Sequence, residues 1–135
     1  MRTIPMRETL GVEFKSDQKT IGKEAILKEV VAMANTNGGE IYIGVEDDGE
    51  ITGAQKVHRD RIQMQAFVSH NTVPPVYLRA VLMEDDPLRP VMKLEVARSA
   101  SVVSTLSGTM YRRRYKAGPA RSRADVCLRD CHEAF

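Results

Sequence analysis

Apolar residues recur at positions 26, 27, 30, 31, 33 and 34 with a period near 3.6, which predicts an amphipathic helix over residues 22–35. Asn35-Thr36-Asn37-Gly38-Gly39 ends it, because Gly38 can close a helix in the left-handed conformation and Gly39 can launch a strand. Ile41, Ile43 and Val45 form one face of that strand, and Asp48-Gly49 signals a hairpin with positive φ at both central residues and a short return over 51–53. Upstream, residues 10–15 alternate from Val12 onward, predicting a strand with Val12 and Phe14 toward the core and Glu13 and Lys15 on the other face. A second helix is expected over 57–70, with Ile62, Ala66 and Phe67 inward, broken by Asn71-Thr72-Val73-Pro74-Pro75. Residues 76–84 and 91–97 read as strands joined by a polar, proline-containing turn, and 109–116 as a last strand after the Ser107-Gly108 turn. Ala124, Cys127, Leu128, Cys131 and Phe135 trace one helical stripe, predicting a C-terminal helix with buried thiols. Together these elements predict an α+β fold, a mixed, largely antiparallel sheet of about six strands packed with about three helices, in one domain over residues 1–135.

Composition narrows the class. Hydrophobic residues make up 42% of the chain and charged residues 28%, as in a soluble globular protein. The longest apolar run spans only residues 30–34, against about 20 residues for a membrane-spanning helix. No membrane partner is therefore expected, and the N-terminus lacks the apolar core of a secretory signal, so a cytoplasmic location is expected. Cys127-x3-Cys131-His132 lacks a second pair of metal ligands, and a disulfide within a helix is geometrically poor. His58, His70 and His132 are scattered, with no nucleophile motif near them, and are expected at the surface or at helix ends.

Charge changes the picture more. The net charge of +2 conceals an asymmetry: residues 1–97 hold 12 Lys and Arg against 15 Asp and Glu, net −3, whereas residues 98–135 hold 8 against 3, net +5. Late basic charge points to an anionic partner. The strand 110–116 concentrates it, with Arg112, Arg114 and Lys116 on one face and Tyr111, Arg113 and Tyr115 on the other; Arg121 and Arg123 follow. Arginine forks suit phosphates and tyrosines can stack on splayed bases. A basic edge strand can equally serve to discourage sheet-to-sheet aggregation. The acids read plainly by themselves: Glu13 with Lys15 as a solvated strand face, Glu8 as a surface acid, Asp47 as the acceptor at a hairpin corner. Glu8 and Glu13 are five apart, so they converge only if Glu8 lies in a loop or Gly11 breaks the alternation. The ANTNGG run ends a helix and lacks the Walker lysine, so no nucleotide site is expected there.

Glu8-Thr9-Leu10-Gly11-Val12-Glu13-Phe14-Lys15, then Ala34-Asn35-Thr36-Asn37-Gly38-Gly39, then Ile43-Gly44-Val45-Glu46-Asp47-Asp48-Gly49, in that order, resemble the Schlafen AlbA_2 domain. Thr9 stands where that family usually has serine. The resemblance implies nucleic-acid binding, DNA or RNA: bacterial members are described as DNA-binding domains of transcriptional regulators, and vertebrate Schlafen proteins include metal-dependent endoribonucleases acting on tRNA and rRNA. The nuclease acids fall here on Glu8, Glu13 and Asp47, which as oxygen donors would hold Mg²⁺ or Mn²⁺, with Lys15 stabilising charge on the phosphate. Vertebrate relatives set two such lobes side by side to make a groove, so a homodimer is expected of a single lobe. The expected function is thus a DNA-binding transcriptional regulator that engages phosphates through Lys15, Arg112, Arg113, Arg114 and Lys116. The alternatives are a metal-dependent endoribonuclease acting on structured RNA and a protein-interaction module.

Overall fold

The computed structural model describes residues 2–115 and 122–127, with 114–115 and 122–127 described by their backbone alone. The chain runs β1 (Val12–Lys15), α1 (Lys23–Ala34), β2 (Gly39–Ile43), a 3₁₀ turn (Lys56–His58), α2 (Arg61–His70), β3 (Thr72–Val73), β4 (Arg79–Met83), β5 (Val91–Val96), β6 (Ser104–Thr105), β7 (Met110–Tyr115) and β8 (Ser122–Cys127). This is an α+β architecture. Its main sheet has the order β1-β2-β5-β4, with β1 parallel to β2 and the other pairs antiparallel. Two-stranded ladders, β3 with β6 and β7 with β8, complete it.

The β1–α1–β2 unit is a parallel crossover, which requires a long connection such as a helix. α1 forms because Ile26, Val30 and Met33 lie along one buried stripe. These residues pack on Ile41, Ile43, Met92, Leu94 and Ala80, which register opposite one another across three strands. On the far side of the sheet Phe14 and Tyr42 meet edge to face, ring centroids 6.1 Å apart, and pack with Ile4, Val45 and Val91. Phe14 therefore faces a core as its alternation predicts. Glu13 and Lys15 do not face solvent in return: they stand beside Ile41 and Ile43, on the side that carries α1.

α1 closes as its glycines suggest, with Gly38 at φ +72° donating its N–H to the Met33 carbonyl. The hairpin after β2 differs from the expectation. Only Gly49 has positive φ, and its N–H bonds to the Glu46 carbonyl, so the chain turns through residues 46–49 and closes on a single Val45–Ile51 bridge. This is the arrangement of a longer loop ending in a left-handed glycine, not of a two-residue turn.

Three further expectations are corrected. The helix expected over 57–70 begins at Arg61, because the Asp60 side chain accepts the Gln63 N–H and caps it there. That cap sets the phase: Met64 and Val68 are buried, whereas Ile62 is 73% exposed. His58 is buried, not superficial, its Nδ1 2.8 Å from the Asp17 carboxylate, which also accepts the N–H groups of Ile21 and Gln55. Finally, residues 122–127, expected in a helix, form β8 against β7. A strand beside an already extended basic strand gains a full ladder of backbone hydrogen bonds, which a short helical stripe cannot match. The remainder of the expected C-terminal helix, with Cys131, lies outside the described residues. Among the described residues no helix is long and apolar enough to cross a membrane.

Candidate nucleic-acid interface and acidic cluster

Ahead of β1, Thr9 and Val12 exchange backbone hydrogen bonds in a tight turn. The chain doubles back there, so Glu8 lies in the preceding loop and its Oε2 accepts the Phe14 N–H at 3.0 Å. The turn overcomes the odd spacing of Glu8 and Glu13. Their carboxyl groups are hydrogen-bonded to each other. α1 adds Glu29, which lies three residues after Ile26 and four before Met33, inside the buried stripe. Two cations serve these three acids. Lys15 Nζ is 2.9 Å from Glu29 and 3.7 Å from Glu13. Arg113 arrives from β7, its Nη1 3.1 Å from Glu29 and its Nη2 3.0 Å from Glu13.

Arg113 is the tie of this cluster. Its side chain is wholly buried; its Nε donates to the Leu10 carbonyl at 2.9 Å, and Nη2 also donates to that of Thr9 at 3.3 Å. One guanidinium thus joins β7 to the N-terminal turn, to β1 and to α1.

Three carboxyl groups face two cations here, and the carboxyl of Glu13 is held above its ordinary range. Burial foremost, then the hydrogen bond with Glu8 and the charges of Glu29 and Glu8, together push the Glu13 carboxyl up to about 8 against the lowering effect of Arg113. The short Arg113 contact favours the carboxylate, but burial with two neighbouring acids outweighs it. Burial alone would lower the Lys15 ammonium, yet Glu29, with Glu13 and Glu8 behind it, holds it above its ordinary value.

Of the three acids expected to hold a metal, Glu8 and Glu13 meet in this cluster. Glu13 Oε1 is occupied by Arg113, and Glu8 caps Phe14. Asp47 is exposed at the hairpin corner beyond β2. Among the described residues no three Asp, Glu, His or Cys side chains are grouped so as to hold an ion.

The opposite face of β7 is open. Asn35 donates its amide to the carbonyls of Val103 and Tyr111 at 2.8 and 2.9 Å and accepts the Val103 N–H, strapping the segment before β7 to the end of α1. Thr36 donates its hydroxyl to Ala32 and accepts the Arg113 N–H. These two residues line a cavity of about 330 Å³ together with Arg98 and Arg112. Gly38 lets the segment approach: a Cβ there would fall 2.5 Å from the Val96 carbonyl oxygen and 2.9 Å from the Arg98 nitrogen. Among the residues whose side chains are described, neither Arg98 nor Arg112 has an acidic partner; across the β7–β8 ladder Arg112 registers with Asp125, which is described by its backbone alone.

Of the basic residues expected to meet phosphate, Arg112 is therefore placed at an open cavity, whereas Arg113 and Lys15 are committed to acids. Tyr111 is half-buried with the Lys28 ammonium 5.8 Å from its ring centroid. Arg114 and Arg123 face each other in the β7–β8 register, and Lys116 and Arg121 lie outside the described residues. Sequence reasoning missed Glu29, Arg98 and the straps Asn35 and Thr36. An acid inside an otherwise apolar helical stripe was the signal for Glu29, and the polar ANTNGG run was the signal for the straps. Arg98, alone in a loop, left none.

The profile of the family described as Schlafen, AlbA_2 matches residues 8–117. Among curated proteins, none matches the chain. Among solved structures, the DIP2311 protein from Corynebacterium diphtheriae is similar in fold, with a TM-score of 0.59 and 22% identity over 84% of this chain. The chain spans 22% of that protein's length.

Proposed function

We propose that this chain, which belongs to the Schlafen AlbA_2 family, binds the phosphate backbone of nucleic acid through the face of β7 that carries Arg112. The observation that carries the reading is the cavity rimmed by Arg98 and Arg112 with no acid in its lining. A pair of guanidinium groups attracts polyanions and offers planar forks to phosphate oxygens. Backbone contacts of this kind position a chain without reading its bases, so the proposal extends to single-stranded RNA and DNA alike; a role in transcription regulation additionally requires a preference for duplex DNA.

The acidic cluster supports this face from behind. Arg113 fixes β7 to α1 and β1, and the next residue, Arg112, is thereby presented outward. Metal-dependent cleavage is the competing reading, favoured by the Glu8–Glu13 carboxyl pair beside Lys15 and by a Glu13 carboxyl poised near 8.

One experiment separates them. Fluorescence anisotropy with labelled RNA and DNA, across a salt series and with EDTA, is expected to show binding that survives chelation. Each phosphate contact contributes about 0.7 to the log–log salt slope on single strands, and Arg112→Ala should lower the slope by about that amount. The same RNA incubated with Mn²⁺ is expected to stay intact. Cleavage by wild type that Glu13→Gln abolishes would establish the nuclease reading, and absence of binding to any nucleic acid would favour a protein-interaction module.

A further inference from the structure

Arg98 and Arg112 come from different elements, the exit of β5 and the middle of β7, and meet on one cavity. The cavity's polar groups divide sharply. Asn35 and Thr36 have their side chains spent on internal bonds, and the Arg113 guanidinium is occupied by Glu13, Glu29 and two carbonyls. The open donors are the two arginines and the loop between β5 and β6. In that loop the Ser99 Oγ accepts the Ser101 N–H at 3.3 Å and keeps its own hydroxyl proton to donate. The Ala100 and Val102 N–H groups have no backbone partner among the described residues. The cavity thus offers two guanidinium groups, a serine hydroxyl and two backbone N–H groups as donors, and no acid is among its described lining residues.

We infer that this cavity receives a terminal phosphate, the monoester end of a nucleic-acid chain, in preference to the internal diesters along it. The inference rests on the proposed binding of nucleic acid and names the part of it that this site takes. A monoester carries close to two negative charges at neutral pH and three free acceptor oxygens, which two guanidinium groups and a serine hydroxyl match in charge and in number of donors. An internal diester carries one charge, has two free acceptor oxygens and has a chain leaving on both sides. At about 330 Å³ the cavity lies at the small end of ligand pockets, which run from roughly 300 to 1,000 Å³; that is enough for a phosphate and part of its sugar, not for a strand passing through.

The test uses small phosphates and strands in parallel. Phenyl phosphate and dimethyl phosphate are titrated into the ¹⁵N-labelled chain, and the amides of residues 99–102 and the arginine Nε–H signals are followed by NMR. The monoester is expected to bind about tenfold more tightly than the diester or better, and Arg98→Ala and Arg112→Ala are each expected to remove that preference. Arg112→Lys, which keeps charge but loses the fork, should recover only part of it. Equal affinities, or shifts away from residues 98–112, would overturn the inference. Anisotropy with one oligonucleotide bearing either a 5′-phosphate, a 3′-phosphate or hydroxyl ends identifies the end recognised. If all three oligonucleotides bind equally, the proposed function stands and the terminal-phosphate inference falls. If the monoester binds the cavity but no oligonucleotide binds, the cavity's ligand class stands and nucleic-acid binding falls.

Discussion

Arg112 and Arg113 are adjacent on β7, and the structure puts them to opposite uses. Arg113 turns inward to a cluster in which it and Lys15 are paired with the buried acids Glu13 and Glu29. Arg112 lines a cavity together with Arg98, and no acid is among that cavity's described lining residues. A balanced charge cluster holds a fold together, and an unbalanced one waits for a ligand. The two regions share a strand wall, so rigidity in the first sets the position of the second.

The sharpest way to break this comparison is Arg113→Met. It leaves the buried Glu13 and Glu29 with Lys15 alone of their two cations, and loss of one partner from a buried pair costs about 3 to 5 kcal/mol. Urea unfolding should show that loss, and a change under 1 kcal/mol would mean the cluster does not hold β7. Next, Gly38→Ala forces a side chain into φ +72° and against the Val96 carbonyl. Strain of this kind costs about 1 to 3 kcal/mol, and because Arg98 is the other neighbour, anion binding at the cavity should weaken with stability.

Within the acidic cluster, Glu29→Gln and Glu13→Gln should part company. Glu29 bridges two cations, so neutralising it should cost about 1 to 3 kcal/mol. Glu13 has its carboxyl held up to about 8, so a glutamine should replace it at little cost at neutral pH. From its ordinary value near 4.5 to about 8 the folded chain holds a proton on Glu13 that the unfolded chain has released. Stability should therefore fall as pH rises through that window and level off above it. Urea midpoints measured between pH 5 and 9 should show the slope in wild type and its loss in Glu13→Gln; a stability that rises with pH in that range would reverse the assignment. The smallest stability effect belongs to Arg112→Ala. A surface change of that kind stays within about 0.5 kcal/mol, while affinity for nucleic acid drops, so thermal melting and anisotropy on the same sample would separate scaffold from ligand contact.

Much of the scaffold was legible in advance. The 3.6 period of Ile26, Val30 and Met33 and the alternation of Ile41, Ile43 and Val45 foretold α1 and β2, since each pattern matches only one backbone period. The Glu8–Glu13 pair could be anticipated only conditionally, and the turn at Thr9 to Val12 supplied the condition. The C-terminal stripe misled because Ala124 and Cys127 fit a helix as well as a strand, and only the neighbouring β7 decides between them.

What the residues alone determined is the local periodicity, the capping and turn glycines, the late basic charge and the family motifs, because these depend on neighbours within a few positions along the chain. Tertiary structure alone decided which charges are compensated. Whether an arginine binds phosphate or a buried glutamate depends on what lies opposite it, and Arg113 meets Glu13 and Glu29 across separations of 100 and 84 residues. No local pattern encodes such a meeting, since the cost of burying a charge and the gain from its partner are both set by the packing that brings them together.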